Sequence, residues 1–185
     1  MTLVFAMRNP ASAFAFTAAL LLGATDASSQ GVPIGAELRG YPAGGILAIR
    51  SDWPISERLV LGGSAGYNLT DRGDFGEHDD EEGGGPGVGV TLTRVRGPDQ
   101  RGWQFGVRAE LYLLRLDWRE GTTQGETRVW VFQPTARVAY AWAISPSLRL
   151  EASASAGLEW NVRTRGEPVG EGAIVLLGIA LLGRL

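Results

Sequence analysis

Between residues 147 and 161 every second position is apolar: Leu148, Leu150, Ala152, Ala154, Ala156, Leu158 and Trp160 alternate with Arg149, Glu151, Ser153, Ser155, Gly157, Glu159 and Asn161. A period of two puts the first set on one face of a strand and the second on the other. The pattern recurs at 103–116, where Trp103, Phe105, Val107, Ala109, Leu111 and Leu113 oppose Gln104, Arg108, Glu110 and Tyr112. It recurs again at 128–142, where Trp130, Phe132, Ala136, Val138, Tyr140 and Trp142 oppose Gln133, Thr135 and Arg137. Shorter segments at 34–41, 46–53, 59–69, 88–95 and 173–185 lie between turn signals. Together they predict eight strands and an all-β fold.

Alternation alone fits a soluble barrel, which buries its apolar faces, as well as a membrane barrel, which turns them to lipid. The connections separate the two. Short links at 54–58, 96–101 and 144–146 alternate with longer polar ones at 70–87, 117–127 and 162–172, the arrangement of outer-membrane barrels with short periplasmic turns and longer external loops. Several segments have the nine to eleven residues that a tilted transmembrane strand needs. The expected architecture is an eight-stranded antiparallel up-and-down transmembrane β-barrel, and an even strand count puts both chain ends on the periplasmic side. A girdle of Trp103, Trp130, Phe132, Tyr140, Trp142 and Trp160 is expected at the membrane interfaces. Ahead of the strands, Arg8, an apolar run at 11–22 and the small residues around Thr25-Asp26-Ala27 read as a secretory signal, cut near Ala27 or Ser29. The expected division is a leader at 1–29 and a barrel at 30–185.

With the apolar faces in lipid, the lumen holds Glu37, Arg39, Arg50, Asp52, Arg108, Glu110, Arg137, Arg149, Glu151 and Glu159, five of each sign. Eight strands leave room for little more than side chains. These groups are therefore expected to pair into a closed polar plug, because lone charges there are costly. A narrow ion path through the same network is the alternative.

Composition narrows the function. The net charge is −3 without a basic run, which excludes gripping a nucleic-acid backbone. Cysteine is absent, removing thiol chemistry and cysteine-ligated zinc, and all seventeen basic residues are Arg. The one histidine, His78, lies in the acidic stretch 71–82, expected to be a solvated loop tip whose spacing fits no defined calcium loop. Arg72-Gly73-Asp74 spells an adhesion-type tripeptide short enough to recur by chance. Gly83 to Gly89 lacks the lysine of a phosphate-binding loop and reads as loop running into strand. A Ser-His hydrolase needs a positioned histidine, and lumenal carboxylates beside arginines stay ionised, the wrong state for a general acid. No enzyme activity, cofactor or metal is expected.

The last hairpin, Gly157-Leu158-Glu159-Trp160-Asn161-Val162-Arg163-Thr164-Arg165-Gly166-Glu167-Pro168-Val169-Gly170-Glu171-Gly172-Ala173-Ile174, resembles a family of predicted bacterial outer-membrane β-barrel proteins. More broadly the chain is similar to the small eight-stranded barrels, which range from structural or adhesive proteins to narrow pores and a few lipid-modifying enzymes. The resemblance implies the fold, the outer membrane, and as partners outer-membrane lipid and the barrel-assembly machinery, with a surface ligand of unspecified kind at the loops. The chain departs from these barrels at its end, Leu181-Leu182-Gly183-Arg184-Leu185, where an aromatic residue is usual. The expected function is that of a non-enzymatic structural or surface-interaction envelope protein, with a small passive channel as the alternative and a lipid-modifying enzyme as a third option.

Overall fold

The computed structural model describes residues 31–73, 76–97 and 100–184. The expected leader at 1–29 lies outside them, as does Asp74 of the Arg72-Gly73-Asp74 tripeptide. Eight strands follow in order: β1 (Pro33–Tyr41), β2 (Gly44–Pro54), β3 (Leu59–Asp71), β4 (Asp80–Val95), β5 (Gly102–Glu120), β6 (Thr123–Ala143), β7 (Leu148–Arg165) and β8 (Gly172–Arg184). Each pairs antiparallel with its chain neighbours, and β8 pairs with β1, so the sheet closes on itself and leaves no free edge. The all-β, eight-stranded up-and-down barrel predicted from the alternation is the fold observed. Following paired residues once around the wall, from Val131 through Tyr112, Gly87, Gly66, Ala48, Glu37, Ala180 and Glu151, leads back to β6 at Ala141, a shear of ten residues. On eight strands this shear tilts them by about 40° and leaves an interior that side chains fill.

The outer wall is apolar. Leu38, Leu61, Val88, Val90, Leu92, Val107, Leu158, Leu177, Ile179 and Leu181 are exposed on it, with Leu177 at 67% of its full surface. Aromatic rings edge this wall at two levels. Trp53, Trp103, Phe105, Tyr140 and Trp142 cluster toward the rim where β1 begins and β8 ends, here the proximal rim; Trp103 meets Tyr140 edge-on at 5.2 Å, and Tyr140 meets Trp142 at 4.8 Å. Tyr67, Trp130, Phe132 and Trp160 lie toward the distal rim, with Phe132 and Trp160 at 6.2 Å. Twelve residues of tilted strand separate Trp130 from Trp142, roughly 30 Å along the barrel axis.

The strands reach further at the distal rim than the turn signals predicted. The expected loop at 70–87 is mostly strand: β4 begins at Asp80 and runs through the glycines at 83–85 and Pro86. The loop at 117–127 collapses to a two-residue turn, Gly121-Thr122, with Gly121 in the left-handed region at φ +56, and the loop at 162–172 shortens to 166–171. Pro86 and Pro134 sit inside paired strands, where a missing N–H ordinarily argues against a strand. Each is accommodated by a local lapse on one side: the β4–β5 ladder skips 85–86, and the β6–β7 ladder skips 133–134.

Beyond the distal aromatics the polarity of the wall inverts. Leu114, Leu116, Val129 and Val131 point inward and join Ile46, Tyr112, Val169, Ile174 and Leu176 in a buried apolar cluster, while Arg115, Asp117, Arg119, Glu126 and Arg128 point outward. The long β5–β6 hairpin thus changes from the pattern of a lipid-facing sheet to that of a water-facing one along its own length.

Candidate functional site: the charged lumen and its distal lid

Large charged arms from β1, β2, β5, β6 and β7 fill the barrel, and the facing wall makes room for them. On β4 the inward positions 83, 85, 87 and 89 are all glycine; a Cβ on Gly87 would stand 2.2 Å from the Tyr112 ring, and one on Gly89 would stand 2.7 Å from Glu110 Cγ. Gly178 on β8 plays the same part under Arg39, whose Cγ would lie 2.8 Å from an added Cβ. Alternate glycines on one wall are what allow several long side chains to lie side by side in so narrow a bore.

All ten residues assigned to the lumen are buried. Nearest the proximal rim, Arg149 donates to Gln100 Oε1 (2.7 Å) and to Asp52 Oδ2 (2.6 Å). Asp52 also accepts a fork from Arg50, Nε to Oδ1 and Nη2 to Oδ2, both at 2.8 Å. Arg50 Nη1 then reaches Glu151 Oε1 at 2.6 Å, and the same oxygen accepts from Arg137 Nη2. Arg108 donates to Glu37 Oε1 (2.7 Å) and to Thr91 Oγ1 (3.2 Å), and Glu37 lies 3.7 Å from Arg50 and 3.6 Å from Arg39. Arg39 ends the chain with a two-point fork on Glu110, 2.6 Å at Oε1, and a 3.1 Å contact to the Tyr112 hydroxyl, which itself donates to Glu110 at 3.0 Å.

Glu159 does not join this network. It lies beyond it, pairing with Arg72 and accepting from Gln133 Nε2 at 2.6 Å. The lower network therefore holds five guanidinium groups (Arg39, Arg50, Arg108, Arg137, Arg149) against four carboxylates (Glu37, Asp52, Glu110, Glu151). Among the described residues, Arg137 Nε and Nη1 and Arg108 Nη1 have no acceptor. The equal count of signs read from the sequence is recovered only when a second, distal cluster is included.

That cluster is a lid. Glu81, expected on a solvated acidic tip, is fully buried. Its carboxylate accepts from Arg72 Nη1 (3.0 Å), from the Gly170 amide (3.1 and 3.2 Å), from the Glu77 amide (2.9 Å) and from the His78 amide (3.3 Å). Arg72 also donates to the Gly170 carbonyl and to Glu159. His78 Nδ1 lies 3.1 Å from Glu81 Oε1, and its ring stacks on Trp118 at 4.3 Å. These contacts tie Arg72, Glu77, His78 and Glu81 to Gly170 across the distal mouth, beside Val169 of the apolar cluster. Burial raises the Glu81 pKa, but the hydrogen bonds from His78 and the two amides, together with the Arg72 charge, outweigh it and hold the carboxyl below its usual 4.5.

The sequence brought Arg72 and Glu81 into view only as parts of a polar loop. They meet across the β3–β4 hairpin, nine positions apart, but the partners that bury them, Glu159 and Gly170, lie 87 to 98 positions away, so no local spacing encodes the cluster. The six assigned girdle residues all lie on the outer wall: Trp103, Trp130, Trp142 and Trp160 are exposed, and Phe132 and Tyr140 are half-buried among them.

No protein-family model matches the chain, and no curated protein matches it. Solved structures do. The N-terminal β-barrel domain of Pseudomonas aeruginosa OprF is 16% identical, with 83% of this chain and 97% of that one covered and a TM-score of 0.51. Neisserial surface protein A (NspA) is 13% identical, with 85% and 98% covered and a TM-score of 0.51. The chain is thus similar in fold to these two bacterial outer-membrane barrels, an eight-stranded closed β-barrel.

Proposed function

We propose that this chain is an outer-membrane envelope protein without catalytic activity, whose barrel is a sealed scaffold carrying the β5–β6 and β7–β8 hairpins to the cell surface. The observation that carries the reading is the stack of three closures along one axis: the cross-linked lumenal charges, the apolar cluster of Ile46, Tyr112, Val131 and Leu176, and the Arg72–Glu81–Glu159 lid. A through-path would have to break ion pairs and wet an apolar layer, both costly. Among the described residues the ring of His78, the only histidine, meets Glu81 and Trp118 and has no hydroxyl in hydrogen-bond reach to activate, which weighs against a Ser-His hydrolase. The apolar outer wall, roughly 30 Å tall between its aromatic edges, matches the hydrocarbon thickness of a bilayer and supports the membrane location.

Planar-bilayer recording tests the sealed scaffold. The expected record is a flat baseline at neutral pH. A second reading, a narrow anion path, draws on the fifth lumenal arginine and the unpartnered N–H groups of Arg137 and Arg108. Steady conductance that changes in Arg108→Ala or Glu151→Ala would establish that reading in place of the first. A mass change in lipid A on expression would replace both with a lipid-modifying enzyme.

A further inference from the structure

We propose that the distal outer wall of β5, β6 and β7 is a binding site for the phosphate groups of a lipid in the surrounding leaflet, with Arg115, Arg128, Arg163 and Arg165 as its ligands. The chain has no run of basic residues; register assembles this cluster. Arg115 stands opposite Arg128, Arg128 stands opposite Arg165, and Arg163 stands opposite Trp130 on the next strand. A β-bulge in the β6–β7 ladder between Trp130 and Val131 sets the last pairing. Together with Leu113 and Trp130 the four arginines line an open groove of about 320 Å³.

Like charges directly across a sheet repel and destabilise it. Here two successive cross-strand pairs are both Arg–Arg. Among the described residues one carboxylate, Glu126, is within ion-pair distance of them, pairing with Arg115 and at 3.0 Å with Arg128, while Asp117 stands opposite Glu126 on the same face without pairing to any of the four. Among the described residues Arg163 and Arg165 have no carboxylate within ion-pair distance. The side chains of Arg115 and Arg128 remain 62% and 66% exposed despite Glu126. Four guanidinium groups against Glu126 and the adjacent Asp117 leave an excess of positive charge that a bound anion would neutralise, and guanidinium forks fit phosphate oxygens two at a time.

The position selects a lipid over a free anion. Immediately proximal to the arginines the same wall is apolar, with Leu113, Phe132, Leu158 and Trp160 ready to contact acyl chains. The charge is also one-sided. The matching outward positions on β3 and β4 carry Leu69, Asp71 and Glu82, and Gly84 faces Arg115. A phosphorylated glycolipid with its chains against Phe132 and Trp160 and its phosphates among the arginines satisfies both halves of the surface. This inference rests on the membrane reading above.

The test uses detergent-folded full-length protein transferred to phosphatidylcholine vesicles doped with bis-phosphorylated lipid A, or with the same lipid dephosphorylated. Native mass spectrometry after mild extraction counts the glycolipid retained. Wild type is expected to retain the phosphorylated form preferentially. Arg163→Gln/Arg165→Gln, which removes no intramolecular ion pair, is expected to lower that retention about tenfold or more. Arg94→Gln, an exposed arginine near the proximal rim, is expected to leave it unchanged. Equal retention of the dephosphorylated lipid, or unchanged retention by the double variant, would overturn the site. Tight binding of inorganic phosphate by the protein in detergent would reassign it to a free anion and overturn the lipid. Failure of wild type to enter the vesicles, seen as no heat-modifiable gel shift, would overturn the membrane reading itself; insertion without a phosphate preference overturns only the site.

Discussion

Glu151 shows how much depends on a single lumenal group. One of its oxygens accepts from both Arg50 and Arg137, so its removal strands the buried guanidinium of Arg137, which has no other ion-pair partner among the described residues, and takes one partner from Arg50, which keeps its fork on Asp52. Uncompensated buried charge typically costs about 3–5 kcal/mol. Glu151→Ala is expected to lose stability on that scale in urea titration of the detergent-folded barrel, and adding Arg137→Met should restore part of the loss. A double variant no more stable than Glu151→Ala would mean that Arg137 draws little from the pair. Glu81 makes a second residue-scale case, at the distal end of β4 and beyond the apolar outer wall. Its pKa is lowered by folding, so its contribution is complete above 4.5 and is lost as the pH falls through the folded value. The lid should therefore loosen below that pH, read as a fall in the protection factor of the Gly170 amide, its exchange set against the intrinsic rate at the same pH. In Glu81→Gln that protection should be low already at neutral pH. A protection factor equal at pH 6 and pH 3 in the wild type would remove Glu81 from the lid.

Among the elements, β4 and β5 behave as a matched pair. The inward glycines of β4 exist for the inward bulk of β5: the Tyr112 ring lies where a Gly87 side chain would be, and Glu110 where a Gly89 side chain would be. Gly87→Val is expected to destabilise the barrel by about 1–3 kcal/mol through overpacking, measured by the urea midpoint. Gly121→Val at the tip of the same hairpin system should act differently, through its left-handed φ of +56 rather than through contacts, since nothing lies near its Cβ. A Gly87→Val protein as stable as wild type would show that Tyr112 moves aside freely, against its place in the buried cluster. The change of side along β5 is an element-scale feature too. Apolar residues occupy odd positions up to Leu113 and even ones from Leu114, Leu116 and Trp118 onward.

At the scale of the whole molecule the closed wall turns nearly all its aromatic surface outward. Five of the six tryptophans, Trp53, Trp103, Trp130, Trp142 and Trp160, are exposed on the outer wall, whereas Trp118 is inside, against His78. Reconstituted in vesicles of brominated lipid, the wild type should lose most of its tryptophan fluorescence. A variant retaining only Trp118 should lose little. Quenching of Trp118 to the same extent as the others would mean that the distal cap is not as described. The folded protein should also run faster on a gel before heating than after, with a β-type far-UV spectrum. A helical spectrum would sink the fold.

The strands, their inward and outward faces, and the ten lumenal charges were legible in the chain because a period of two is written residue by residue, and the sequence by itself decides which side chains share a face. The leader assigned to 1–29 rests on sequence alone. Tertiary structure decided everything that depends on which strand positions meet. It extended β4 through glycines that read locally as loop, because their lack of side chains answers bulk on β5 rather than a need to turn. It moved Glu159 out of the lumenal network, drew Glu81 out of water onto the amide of distant Gly170 as well as those of its neighbours Glu77 and His78, and gathered four dispersed arginines into one patch. Register and closure are relations between distant segments, and no local pattern of residue types specifies them. The parity switch at Leu113 and Leu114 is the exception: it is visible in the sequence, and it foretells the buried distal cluster.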